Sequence, residues 1–194
     1  MTIYELAGYV SGVCIFASFI PYIRDIFKGK TKPERISWLI WAVLGSIAFF
    51  SQLAKGASYS LFLVGIQGLG DLVVFLLAIK YGFGGFVKRD VVALGGAAIG
   101  LILWYSTDEP AIALFIVILI DAIGGVLTIL KSHEHPSTET LSTWVLTALA
   151  GFFAIFSVGS FNWILLAFPI YIFLINIAII AAIQLGRRRV LRIK

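Results

Sequence analysis

The sequence predicts an all-α integral membrane protein: seven transmembrane helices as 3+1+3, two parallel three-helix repeats joined by a linker helix. Composition, a series of apolar runs and an internal recurrence of residues carry that prediction. The 194 residues are 60% hydrophobic and only 13% charged, with a mean hydropathy of +1.02. Soluble domains run at about 45–50% apolar and about 25% charged. A chain of this size has too little interior to hide so much apolar surface, so lipid is its expected solvent. Seven spans of about 20 residues consume most of the length, and no appended soluble domain is expected. The lone Cys14 excludes a disulfide framework and a thiolate metal site. The net charge of +5 reads as membrane topology rather than nucleic-acid binding.

Apolar runs bounded by turn or charge signals place the spans in order. The first, 4–27, carries Pro21 in its body and no basic region before it, so it does not read as a cleaved signal peptide. The second, 34–54, follows Pro33, and the third covers 60–81. The fourth, 90–105, is expected to be the shortest and is rich in small residues: Gly95, Gly96, Ala97, Ala98 and Gly100. The fifth is 111–131, the sixth 138–158 and the seventh 162–185, where Pro169 is expected to kink the helix. Residues 1–81 form the first repeat, 82–110 the linker with the fourth span, 111–186 the second repeat and 187–194 a basic cytoplasmic tail.

Lys and Arg resist translocation and so report orientation. Of 15 such residues, only Lys55 falls on the side opposite to the rest. The others follow spans 1, 3, 5 and 7, Lys131 among them. The sequence therefore predicts a multi-pass protein of the cell membrane, amino terminus outside and carboxyl terminus cytoplasmic.

Self-similarity comes from two offsets. Adding 103 maps Lys28 onto Lys131, Pro33 onto Pro136, Trp41 onto Trp144 and Gly56 onto Gly159. Adding 105 maps Ile36-Ser37 onto Leu141-Ser142 and Asp71 onto Asn176. A unit of three helices ends on the side opposite to its start. One inserted helix restores the side, and the two copies then run parallel. Parallel repeats related by an axis along the membrane normal are a transporter architecture, with solute bound near the midplane.

The residues that carry this pattern are Pro21-Tyr22-Ile23-Arg24-Asp25, Lys28 to Pro33 and Ile36-Ser37 in the first copy. In the second they are Gly124-Gly125, Lys131 and Ser137 to Ser142. The chain thus resembles the PQ-loop superfamily, which includes the SWEET sugar transporters and lysosomal amino-acid exporters. Tyr22 stands in place of the glutamine of the motif, and the Gly124-Gly125 pair in place of the second proline–glutamine. The resemblance implies hinges at Pro21, Pro33, Pro136, Gly124 and Gly125. It also implies a sugar contact by an asparagine on each third helix. Asn176 matches that role in position and type, and Asp71 in position. For Pro33 and Pro136 an ordinary helix start remains the plainer reading.

Asp71 and Asp121 lie mid-span, where each costs about 2.5–3.5 kcal/mol on insertion scales. No Lys, Arg or His lies at similar depth, so they must be protonated, hydrated in a cavity or facing a cation. Both are proton-coupling candidates. Gln67, four residues before Asp71, shares its helix face. Asp71 and Asn176 are expected to face one another across a central cavity, with Gln67 beside Asp71. Asn176 and Gln67 read equally as interhelical hydrogen-bonding groups. Trp41 and Trp144 could stack on a sugar ring or, with Trp38 and Trp163, occupy an interfacial belt. Gly8 with Gly12, and Gly96 with Gly100, read as close-packing pairs. His133-Glu134-His135 is expected in a loop, without further ligands at metal spacing. The arginine-rich segment reads as an anchor near anionic lipid.

Gly68-Leu69-Gly70-Asp71 matches a short motif of intramembrane aspartyl proteases, but the accompanying Tyr-Asp and Pro-Ala-Leu elements are missing. No lysine in span 7 is available for a retinal Schiff base. The expected function is alternating-access transport of a small polar solute, a sugar first. A proton-coupled amino-acid or cationic-solute transporter, and a non-transporting receptor or scaffold, are the alternatives, with an intramembrane aspartyl protease a remote one. Expected partners are the lipid bilayer and the solute, with protons and a second copy of the chain as candidates. No enzyme activity, nucleic acid, metal or cofactor is expected.

Overall fold

The computed structural model describes residues 2–54, 60–84 and 87–193. Lys55, Gly56 and Lys194, which enter the charge pattern or the repeat, lie outside the described residues. Seven α-helices follow one another among the described residues. They are α1 (Ile3–Phe27), α2 (Arg35–Ala54), α3 (Ser60–Tyr81), α4 (Lys88–Tyr105), α5 (Pro110–Glu134), α6 (Leu141–Ser157) and α7 (Trp163–Ile193), with a 3-10 turn at Pro136–Thr138. The described residues contain no strand beyond an isolated bridge from Glu34 to Phe83. Among the described residues, three helices, α1, α5 and α7, are long and apolar enough to cross a membrane, the mark of a membrane protein.

Four expectations change. α6, with 17 residues, is shorter than α4, with 18. Glu139 (φ −125°, ψ 141°) and Thr140 (φ −88°, ψ 97°) are extended and delay the start of α6, while His135, held out of the helical region by the proline after it, ends α5 at φ −130° and ψ 60°. Pro136 therefore opens a separate 3-10 turn, not α6 itself, and α6 starts only at Leu141. His133 and Glu134 belong to the last turn of α5 rather than to a loop. The seventh helix does not stop at 185, because α7 continues through the basic segment to Ile193. No proline interrupts that segment, and basic side chains suit a helix carboxyl end. Finally, Lys131 is no solvated loop charge, since it is fully buried.

The helices group into two compact units by packing rather than by chain order. One comprises Met1–Thr31 with Ile129–Lys194, the other Lys32–Thr128. The first unit joins α1 to α6 and α7. Antiparallel contacts run along α1 and α6, from Gly8 beside Ser157 to Asp25 beside Thr140. Between those ends, Ser11 donates to the Ala150 carbonyl and Thr143 to the Ser18 carbonyl. α6 meets α7 at Gly151, where an added Cβ would lie 2.7 Å from the Phe173 nitrogen. Gly186 of α7 crosses the end of α5 as closely, 2.5 Å from the His133 oxygen by the same measure.

The second unit packs α2 against α3, α4 and most of α5. Its core is Ile36, Ile40, Ala93, Ala97, Ile120 and Leu127. α2 and α3 approach backbone to backbone, a Cβ on Gly45 falling 2.8 Å from the Gly68 Cα. Gly96 and Gly100 of α4 receive Ile123 and Ile120 of α5, as their small-residue spacing anticipates. The Arg35 guanidinium donates to the carbonyls of Ala78, Ile79 and Gly84, capping the end of α3. The Phe83 amide donates to the Pro33 carbonyl at 2.7 Å, so the start of α2 and the end of α3 share one end of this unit.

Candidate functional site

Each unit buries a mid-helix polar residue, Asp71 of α3 in one and Asn176 of α7 in the other. Asp71, in the second unit, is 5% exposed. It sits one turn after Gly68, where the glycine contact draws α2 close, and its Oδ2 lies 3.6 Å from where a Gly45 Cβ would stand. The Gln67 amide donates to both carboxylate oxygens at 3.3 Å, so the shared helix face read from the sequence is realised as a hydrogen-bonded pair. Gly68 of the short protease-like motif thus has a packing task of its own.

Asn176, 4% exposed on α7, is the corresponding residue of the first unit. Its Nδ2 donates to the Ile172 carbonyl one turn earlier at 2.8 Å. Its Oδ1 is buried without a hydrogen-bond partner. Buried acceptors in native proteins are almost always satisfied, and each exception calls for an explanation. The group lies one turn beyond Phe173, where Gly151 lets α6 approach α7. Asp71 and Asn176 therefore stand in like local settings, each a turn past a glycine-mediated helix contact.

The tryptophans are held by packing within their own units. Trp41 donates its indole N–H to the Asp121 carbonyl at 3.3 Å and stacks edge-on with Trp38. Gly124 makes room for it, since a Cβ there would lie 2.9 Å from Trp41 Nε1. Trp144 donates to Glu139 Oε2 at 2.9 Å and meets Tyr22 edge-on, with centroids 5.9 Å apart. Trp38 and Trp144 are buried, while Trp163, at the start of α7, is 69% exposed.

Of the hinge candidates, Pro21 lies inside α1, which continues to Phe27. Its missing N–H frees the Ala17 carbonyl, next to the Ser18 carbonyl that Thr143 binds. Pro33 is buried, and its carbonyl accepts from Phe83. Gly124 and Gly125 are buried within α5, and the Gly124 carbonyl accepts from Ser37 Oγ at 2.7 Å. Pro169 is inside α7, which extends to Ile193.

One network was not legible beforehand. Lys131 Nζ lies 2.6 Å from Glu139 Oε1 with both side chains fully buried, and it donates to the Thr138 carbonyl at 2.9 Å. The other Glu139 oxygen holds Trp144. Beside it, Thr140 donates to Asp25 Oδ2 at 3.1 Å and meets Thr31 hydroxyl to hydroxyl. Lys131 and Glu139 are eight residues apart across a turn, a spacing that no helical or strand period reports. The glycines Gly45 and Gly151 were within reach of the small-residue rule, which the sequence reading applied elsewhere.

One contact recurs in the two units at an offset of 103 on both sides: Asp25 to Thr140 in the first and Thr128 to Ser37 in the second, placing Ser37 with Thr140 rather than with Ser142 of the 105 frame. Thr143 to Ser18 and Trp41 to Asp121 match on the acceptor side alone: Ser18 and Asp121 are 103 apart, but Trp41 and Thr143 are 102 apart. Gly68 and Phe173 are 105 apart, whereas Gly45 and Gly151, which meet them, are 106 apart. Compared with models of known protein families, with curated proteins and with solved structures, the chain matches none.

Proposed function

We propose that this chain is a seven-span, 3+1+3 transporter of a small polar solute, working by alternating access, with the amino terminus outside and the carboxyl terminus cytoplasmic. The observation that carries the solute-binding reading is Asn176: its buried Oδ1 lacks a partner while its Nδ2 is spent on its own helix. An unmet buried acceptor costs about 1–3 kcal/mol, and a solute hydroxyl or amine would repay it. Asp71, hydrogen-bonded by Gln67, is the corresponding candidate binding group within the second unit. The recurrence of one interhelical contact at an offset of 103, Asp25 to Thr140 and Thr128 to Ser37, supports two parallel repeats, the arrangement in which such transporters bind solute near the midplane. The resemblance to SWEET-like proteins favours a sugar.

The buried carboxylate of Asp71 favours a second reading, a proton-coupled amino-acid or cationic-solute carrier, because intramembrane acids mark ion and proton pathways. A thermal-shift screen of purified protein against sugars and amino acids at two pH values tests both. A site ligand raises apparent stability by mass action. A sugar that shifts the parent and not Asn176→Ala supports the first reading. A pH-dependent shift with an amino acid supports the second. No shift with either class contradicts both.

A further inference from the structure

Within the second unit, α4 closes tightly on α5 but not on α2. Gly96 and Gly100 take up Ile123 and Ile120, whereas towards α2 the helix presents Ala97 and Ala98. The difference leaves a hollow of about 190 Å³ walled by α2, α4 and α5, with Val43, Ala98 and Ile120 among its lining residues. All nine lining side chains are apolar. Both long walls lead back to basic residues at one end. Lys32 is exposed just before α2, and Lys88 is exposed in the first turn of α4. Lys88 precedes the first α4 lining residue, Leu94, by six residues, about 9 Å along a helix.

We propose that this hollow is a binding site for an anionic phospholipid, one acyl chain lying between α2 and α4 and the headgroup phosphate beside Lys88 and Lys32. The lining selects a hydrocarbon chain, and the two ammonium groups at the end of the walls select negative charge. A sugar or amino acid finds no hydrogen-bonding side chain there. Nor does the site depend on the chain being a transporter.

Native mass spectrometry of the full chain, released from bilayers of equal phosphatidylglycerol and phosphatidylcholine, tests the proposal. One phosphatidylglycerol is expected to stay bound per chain in preference to phosphatidylcholine. Ala98 is exposed at the rim, so Ala98→Phe fills the hollow without entering the core. Displacing about two methylene groups' worth of contact weakens retention about tenfold. The double variant Lys32→Ala/Lys88→Ala keeps a bound lipid but loses the preference for phosphatidylglycerol. It preserves the test if Ala98→Phe does not fold. Retention of lipid by a folded Ala98→Phe equal to the parent's would overturn the proposal. So would an unchanged headgroup preference in the double variant, or a parent that carries a second copy of the chain, lost in Ala98→Phe, instead of lipid.

Discussion

Lys131 and Glu139 form an ion pair sealed inside the first unit, 2.6 Å from Nζ to Oε1, at the junction where α5 gives way to α6. Removing one partner of a buried pair strands the other charge and costs about 3–5 kcal/mol. Replacing both by apolar residues of similar volume is often neutral. Lys131→Met is therefore expected to lower thermal stability in detergent sharply, and Lys131→Met/Glu139→Leu to restore most of it. Trp144 loses its Glu139 acceptor in the double variant, so full recovery is not expected. A single variant as stable as the parent would show the pair to be unimportant.

The contact of Gly45 with Gly68 sets the spacing of α2 and α3 immediately before Asp71. A Cβ on Gly45 would lie 2.8 Å from backbone, which cannot swing aside as a flexible side chain can. Gly45→Val is expected to cost about 1–3 kcal/mol by overpacking and to weaken solute binding by displacing Asp71. Gly95, whose Cβ would meet nothing within 4 Å, is the control, and Gly95→Ala should match the parent in both assays.

Topology is open to labelling with a membrane-impermeant thiol reagent in a Cys14→Ser background. Cysteines at Lys30 and Ser137 are expected to stay unlabelled in intact cells and to react after permeabilisation. Cysteines at Thr107 and Ser160 should react from outside. The expectation rests on the placement of 14 of the 15 Lys and Arg on one side. Labelling of Lys30→Cys from outside would reverse the assignment.

Much of the helix pattern was legible because the apolar runs are long and the punctuation strong: α2, α3 and α4 end at Ala54, Tyr81 and Tyr105, as read. The α5–α6 junction was misplaced because composition alone makes Lys131 a loop charge. Only the folded chain brings Glu139 and the Thr138 carbonyl around it. The pairing of Gln67 with Asp71 was readable, being local to one helix turn. The union of α1 with α6 and α7, and of α2 with α5, was not. It depends on contacts between distant segments, such as Thr143 with Ser18, that no periodicity encodes.

If Asp71 exchanges a proton during transport, Asp71→Asn keeps the shape of the site while removing the titrating group. In proteoliposomes the parent's uptake is then expected to respond to an imposed pH gradient and the variant's uptake not to. Gln67 retains an amide acceptor in the variant, so folding should survive. Uptake by the parent that ignores the gradient would leave the uniporting sugar carrier as the reading.

The most direct test of the central claim is solute flux through Asn176→Ala. The variant keeps every backbone contact of α7 and removes the buried Oδ1 on which the solute-binding reading rests. Radiolabelled uptake of the solute selected by the thermal-shift screen should be measured in proteoliposomes with parent and variant reconstituted at equal density. Loss of a buried hydrogen bond of about 1–3 kcal/mol predicts uptake at least about fivefold lower at subsaturating solute, with the variant still monodisperse. Uptake equal to the parent's would contradict the account and return Asn176 to a helix-packing role.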